Sequence, residues 1–456
     1  MIIRFNISNY HSFCELTEFN LLAGDIRTKK NHVKNINGVD VLKFSLLYGA
    51  NGAGKSNLIK ALETLQTMLQ EEEVIDLSSD THKFDSKGEE KPVTFELEYM
   101  TEPQNIFIYG LSISKDVVEN EYLYISGMGR VKDKLIFERK FQNGKTVFEI
   151  DKKFLKLKKD REFLELFSTS ILGNKELAIA KFLDFEDRLI EFNKLLNEAF
   201  KWFFDNLRII HPNYKPQGLV FHLSLSDKFT TFCNELLSNM DIGITSLKVE
   251  EIDMFDFFGE SDHDKMIIKD IKEELEEEYY TPLAFDVIAV KEINDDDEIK
   301  YCIKKLIVVH KNNDELIEFS FQEESDGTKR LIEYLSMVYD ILNPKLNGVY
   351  IVDEMERSIH PHLLKEILKK LVNSENITGQ LIFSTHESNL LDLELFRQDE
   401  IWLTEKNDFG ATRFTPLSDF KIRNDLDIRN GYLKGRFGAI PILANLRDLN
   451  WYKNAN

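Results

Sequence analysis

The chain has 456 residues, more than one hydrophobic core normally supports, so two or three structural units are expected. Its 43% hydrophobic and 30% charged residues fit a soluble globular protein, and no run approaches the ~20 uninterrupted apolar residues of a membrane helix. A formal net charge of −21 argues against indiscriminate nucleic-acid binding; contact with DNA would need a restricted basic patch that the charge balance does not show. Three widely spaced cysteines, Cys14, Cys233 and Cys302, fit neither a disulfide framework nor a zinc site. The N-terminal residues alternate like a strand rather than forming a signal peptide, and together these features point to the cytoplasm.

Residues 1–9 alternate apolar Ile3, Phe5 and Ile7 with polar Arg4, Asn6 and Ser8, the pattern of a half-buried strand. A turn over 9–13 and an extended stretch at 16–22 suggest a small antiparallel sheet. Residues 41–48 (VLKFSLLY) are apolar enough for a buried strand, and residues 57–70 place Leu58, Leu62, Leu65 and Leu69 at helical spacing. Between them Gly49, Gly54, Lys55 and Ser56 fill the fixed positions of G-x-x-x-x-G-K-[ST], with Asn51, Gly52 and Asn57 in and beside the loop. Strand, glycine loop and helix together aim free backbone N–H groups and a helix N-terminus at an anion. Lys55 would reach the β- and γ-phosphates of ATP, and Ser56 would offer its hydroxyl to Mg²⁺.

Residues 71–90 are polar and read as a loop, and short strands follow at 92–99, 105–114, 117–126 and 134–139 with spacers suited to antiparallel hairpins. From 151 to about 240, aromatic and aliphatic residues including Phe163, Phe167, Phe182, Phe185 and Phe192 recur at three- and four-residue steps. Such stripes bury against other helices, so a helical insertion is expected. Residues 243–249 read as a strand, and residues 251–300 hold eighteen Asp/Glu against five Lys/Arg, a net of −13. That stretch is either a solvated acidic face on an inserted element or an acidic surface that docks a partner or mimics DNA. Strand signals resume at 306–310 and 316–321.

Residues 324–330 (ESDGTKR) open a helix over 331–342. Ser325 and Gly327 make this a second anion-facing helix start that would complete the site of a neighbouring subunit, or else Ser325 or Asp326 simply caps the helix. Residues 349–354 (VYIVDE) are a buried strand ending in two acids, which delivers Asp353 to the Mg²⁺ shell and leaves Glu354 to polarise the attacking water. Residues 381–386 (LIFSTH) are a second apolar strand, ending at His386, where an imidazole can touch the γ-phosphate.

The order GANGAGKSN, ESDGTKRL, VYIVDE, SIHPH, STHESNLL and YLKGRFGAIP resembles the ABC-type ATPases of the RecF, SMC and OLD branch, and most nearly the stand-alone phage-defence ATPases of the AriA type from PARIS systems. The resemblance implies head-to-tail ATP sandwiches, with Ser325 and Gly327 acting in trans on the neighbour's γ-phosphate and Ser358, Ile359 and His360 at the dimer seam. ESDGT stands where transporters carry LSGGQ. Gln104, between two strands, is either a turn residue or the glutamine that in ABC-type ATPases helps hold Mg²⁺ and the attacking water. No heptad run long enough for SMC arms is present. No acidic cluster marks a nuclease domain after His386, so cutting of nucleic acid would fall to another polypeptide.

The expected fold is α/β, an ABC-type P-loop ATPase head with a mixed sheet, an antiparallel β part and a helical insertion. The expected segments are an N-terminal ATPase lobe (1–150), a mainly helical insertion with the acidic stretch (151–300) and a C-terminal lobe (301–456) with the trans motif, Asp353, Glu354 and His386. The expected function is a Mg²⁺-dependent ATPase, oligomeric through ATP-bridged interfaces, that senses a phage or DNA signal and governs a separate effector, a nuclease or toxin. The rival readings are a RecF-like repair ATPase and a nucleotide-gated scaffold with negligible hydrolysis.

Overall fold

In the computed structural model, which describes residues 1–84, 91–102, 105–142, 144–185, 187–213, 218–293, 298–313, 315–343, 345–420, 422–423 and 426–438, the N-terminal alternation becomes β1 (Ile2–Ser8), with Ile3, Phe5 and Ile7 fully buried. A turn through Asn9 and His11, both at positive φ, leads to β2 (Thr17–Asn20). A two-stranded ribbon, β3 (Val33–Ile36) and β4 (Val39–Leu42), precedes β5 (Phe44–Gly49), which is buried at every residue as a strand covered on both faces must be. Helix α1 (Lys55–Glu71) buries Leu58, Leu62, Leu65 and Leu69, the stripe expected from their spacing. Antiparallel strands of six to nine residues follow as β6 (Val93–Met100), β7 (Ile106–Ser114), β8 (Val117–Ile125), β9 (Lys134–Gln142) and β10 (Lys145–Ile150). Then come α2 (Lys158–Leu166), α3 (Ala178–Lys181), α4 (Ile190–Asp205) and β11 (Leu207–Ile210).

The chain continues through α5 (Leu219–Leu225), α6 (Asp227–Ser238), β12 (Ile244–Asp253), α7 (Met254–Phe258), α8 (Asp262–Glu277), β13 (Tyr280–Ala284), β14 (Val287–Ile293), β15 (Ile299–Asn312), β16 (Glu315–Ser320) and α9 (Asp326–Leu342). It ends with β17 (Val349–Val352), α10 (Pro361–Val372), β18 (Gln380–Thr385), β19 (Ile401–Lys406), β20 (Thr412–Pro416) and α11 (Ile428–Leu433).

These elements fall into two compact units, one of Met1–Ile209, Asn343–Met355 and Leu368–Asn456, the other of Ile210–Leu342 and Glu356–Ile367. The cuts differ from the three sequence segments because pairing partners lie far apart in the chain. In the first unit an antiparallel sheet runs β10-β9-β8-β7-β6-β1-β2, and a second sheet runs β11-β17-β18-β5-β19-β20. Strand β5 lies between β18 and β19 and is parallel to both, so residues near position 45 pair with residues near 382 and 401. The phenylalanine-rich helices belong to this unit: Phe167 packs tilted against Phe182 at 4.6 Å, Phe182 edge-on against Phe192 at 4.7 Å, and Tyr99 of β6 donates to Ala199 O of α4 at 2.8 Å.

The second unit is built on the sheet β12-β15-β14-β13, with β16 also pairing β15. One hydrophobic cluster joins α5 and α6 to Leu306 and Val308, and another joins Ile268, Ile271 and Leu275 of α8 to Ala289 and Ile303. The acidic stretch is thus largely an amphipathic helix and two strands, with α8 capped by Ser261 and its acids on the outer face. Among the described residues no helix is long and apolar enough to cross a membrane.

Candidate functional site

The site of the first unit is set by register. Thr385 of β18 pairs with Tyr48 of β5, so His386 comes level with Gly49, where the glycine loop begins. Val352 of β17 pairs with Phe383 of β18, so Asp353 comes level with Ser384. Two sequence-distant strand ends are thereby brought beside the loop.

Lys55 is buried and its Nζ donates to Gly49 O at 2.8 Å and Ala50 O at 3.1 Å. His386 Nδ1 lies 3.2 Å from that ammonium and 3.1 Å from Gly49 O. Asn51 and Gly52 are exposed at the loop's tip. A Cβ on Gly49 would lie 2.2 Å from Thr404 O, and Gly54 combines φ +109° with a Cβ position 1.9 Å from Thr412 Oγ1, so both glycines are demanded by their neighbours.

Those neighbours form a polar chain behind the loop. Asn57 Nδ2 donates to Ser12 Oγ at 2.7 Å, and Thr412 Oγ1 lies 2.6 Å from Ser12 Oγ and 2.8 Å from Ala53 O. Thr412 has one proton and the carbonyl cannot donate, so that proton goes to Ala53 O and Ser12 supplies the one between the hydroxyls. The loop is thus tied to the turn after β1 and to the β19–β20 hairpin.

The acids sit on the other side of β18. Ser56 Oγ donates to Asp353 Oδ1 at 3.1 Å, and Ser384 Oγ donates to the same oxygen. Glu354 has φ +50°, a left-handed conformation that costs a side-chain-bearing residue about 1–2 kcal/mol. Its N–H donates to Ser384 Oγ at 2.9 Å, and Met355 N donates to Ser384 O at 3.1 Å. Backbone strain of this kind collects at functional sites, where the surroundings hold it in place. The hydroxyl of Ser56 and carboxylate of Asp353 are hard oxygen donors, the set that suits Mg²⁺ rather than a soft metal.

Ser325 and Gly327 belong to the second unit. Ser325 Oγ accepts from Thr328 N at 3.2 Å, so it does cap α9, and the residue is exposed. A Cβ on Gly327 would lie 2.6 Å from Ser358 O, and Ser358 itself has φ +63°. The ESDGT and SIH segments, thirty residues apart in sequence, are therefore in contact. Glu324 is anchored from behind by His310, whose Nε2 lies 2.6 Å from Glu324 Oε1.

Gln104, Asp295, Asp296, Asp297 and residues 439–441 of YLKGRFGAIP lie outside the described residues. The described start of that last segment has a place: Tyr432 packs edge-on against Tyr48 at 4.9 Å, and Tyr48 OH donates to His386 O at 3.4 Å. Ser12, Thr412 and Ser384 were not anticipated. Each is a single small polar residue without a local motif, and only strand pairing shows what it touches.

The AAA_21 family profile, described as "AAA domain, putative AbiEii toxin, Type IV TA system", matches residues 44–392, more than half of the chain. The chain belongs to the AAA_21 family. The AAA_21 match runs from the first residue of β5 to just past His386 and so takes in the loop, the acid pair and the ESDGT segment. The fold is an α/β P-loop ATPase head of the ABC type, with a mixed sheet and an antiparallel β part. No curated protein matches the chain. Among solved structures, the SMC head domain from Thermotoga maritima is 11% identical with a TM-score of 0.37, covering 91% of this chain and 98% of that one. An Smc head bound to the C-winged helix domain of ScpA is 12% identical with a TM-score of 0.41, covering 92% and 99%. An Smc head with an extended coiled coil, bound to the C-terminal domain of ScpA derived from Pyrococcus furiosus, is 12% identical with a TM-score of 0.37, covering 92% and 97%.

Proposed function

We propose that this chain is a Mg²⁺-dependent ATP hydrolase that serves as the sensor or regulator of a bacterial anti-phage module and controls a separate effector, a nuclease or toxin. The observation that carries the hydrolase reading is the convergence of Lys55, Ser56, Asp353 and His386 from three strand ends onto one glycine loop. In this reading the loop N–H groups and Lys55 bind the phosphates, and Ser56 with Asp353 holds Mg²⁺. Bound Mg²⁺ would neutralise phosphate charge. Glu354 accepts the proton of the attacking water, and His386 contacts the γ-phosphate beside Lys55. Ser325 and Gly327 of a second copy close the sandwich through the N-terminus of α9, whose N–H groups suit an anion.

The regulator role is supported by the order of motifs, which resembles AriA-type ATPases. The family description names a toxin of a type IV toxin–antitoxin system, which favours a second reading in which the chain is itself the toxic member of a gene pair. ATP turnover of purified protein, with and without short DNA and with and without the product of the neighbouring gene, tests the reading. Turnover indifferent to DNA, with a tightly co-purifying second protein, is the expected result. Stimulation by DNA would replace it with the RecF-like reading, binding without turnover with the scaffold, and toxicity of this chain alone in cells with the toxin reading.

A further inference from the structure

We propose that Ser384 is a positioning residue whose single hydroxyl sets both acids of the site at once. The inference rests on the ATPase reading above. Ser384 is fully buried at the end of β18, where Leu381, Ile382 and Phe383 already satisfy the strand's packing with apolar side chains. A hydroxyl has one proton and two lone pairs. The proton goes to Asp353 Oδ1, and a lone pair takes the N–H of Glu354 at 2.9 Å. The Ser384 carbonyl then takes the N–H of Met355 at 3.1 Å. One residue thus grips three successive positions of the acid segment.

The grip matters most at Glu354, whose φ of +50° is one that residues with a side chain rarely adopt. Release of its N–H lets the backbone relax and swings the carboxylate away from wherever the strained conformation aims it. Loss of the donor to Asp353 removes the second of two hydroxyls that fix Oδ1, the other being Ser56 at 3.1 Å. Ser384 would therefore act through two other residues, without touching nucleotide.

The test uses the full chain and five variants. Ser384→Ala should bind ATP in EDTA as the parent does, since the loop and Lys55 are untouched. Its kcat should fall about 10–100-fold and its half-saturating Mg²⁺ concentration rise about tenfold, the range typical of lost outer-shell partners. Ser384→Thr, which keeps the hydroxyl, should recover most of both. In a Glu354→Gln background Ser384→Ala should cost much less than it does alone, because the group it positions is already gone. Parent-like kcat and Mg²⁺ dependence in Ser384→Ala would overturn the proposal. So would equal losses in the Ala and Thr variants, which would mark a packing role, or full multiplicativity with Glu354→Gln. Lys55→Ala that retains parent ATP affinity would instead sink the ATPase reading and leave the hydroxyl's contacts without a reaction to serve.

Discussion

Thr412→Val tests the polar chain behind the phosphate loop. The substitution keeps the shape of a residue only 6% exposed and removes its hydroxyl. Two hydrogen bonds are lost, to Ala53 O at 2.8 Å and with Ser12 Oγ at 2.6 Å. At about 0.5–1.5 kcal/mol net for each, the loss is about 1–3 kcal/mol. Gly54 lies between those anchors, and its φ of +109° is held in part by the Thr412 side chain standing where a Cβ would be. If all the lost energy goes into freeing the loop, ATP affinity falls by roughly 5–150-fold, since 1.4 kcal/mol is a factor of ten. Titration calorimetry with ATP measures this, with thermal unfolding alongside to separate loop loosening from general destabilisation. Parent affinity and parent unfolding temperature together would refute the claim that Thr412 holds the loop.

Lys55→Ala should lower ATP affinity by at least about tenfold in calorimetry while the protein stays folded, because it removes the buried ammonium that faces the loop carbonyls. Glu354→Gln should bind ATP yet turn it over about 10²–10⁴-fold more slowly, and light scattering should show ATP-bridged oligomers accumulating. Ser325→Arg should leave ATP binding intact but block turnover. Mixing it with Lys55→Ala should restore part of the rate, since one composite site then has both halves; full activity of Ser325→Arg alone would end the trans assignment.

The sequence carried the parts of the site whose residues are local. A glycine loop, a strand ending in Asp353 and Glu354, and a strand ending in His386 each announce themselves within ten residues. What brings them together is pairing between β5, β17 and β18, and hydrophobic patterning says that a strand is buried without saying beside what. Ser12 and Thr412 show the limit most clearly: four hundred residues separate two hydroxyls 2.6 Å apart. The phenylalanine stripes of 151–205 implied an inserted helical unit, yet those helices pack in the first unit: Trp202 and Phe203 meet Tyr99 of β6, while Phe192 packs against Phe182. The acidic stretch conceals β13 and β14, whose buried Val287, Ile288, Ala289 and Val290 are few beside the charges around them.

The place of β5 has a consequence for synthesis of the protein. It has six consecutive buried residues and ends at Gly49, yet its partners β18 and β19 begin only at Gln380 and Ile401. Until they are made, the nascent chain carries a strand that is fully buried in the fold, with two open edges and no sheet to enter, a state prone to aggregation. Contacts of such sequence separation also fold slowly. The phosphate loop cannot be clamped until Thr412 has left the tunnel, so an interrupted translation product would lack a formed nucleotide site. Late assembly would then act as a safeguard: an incomplete copy could not engage nucleotide.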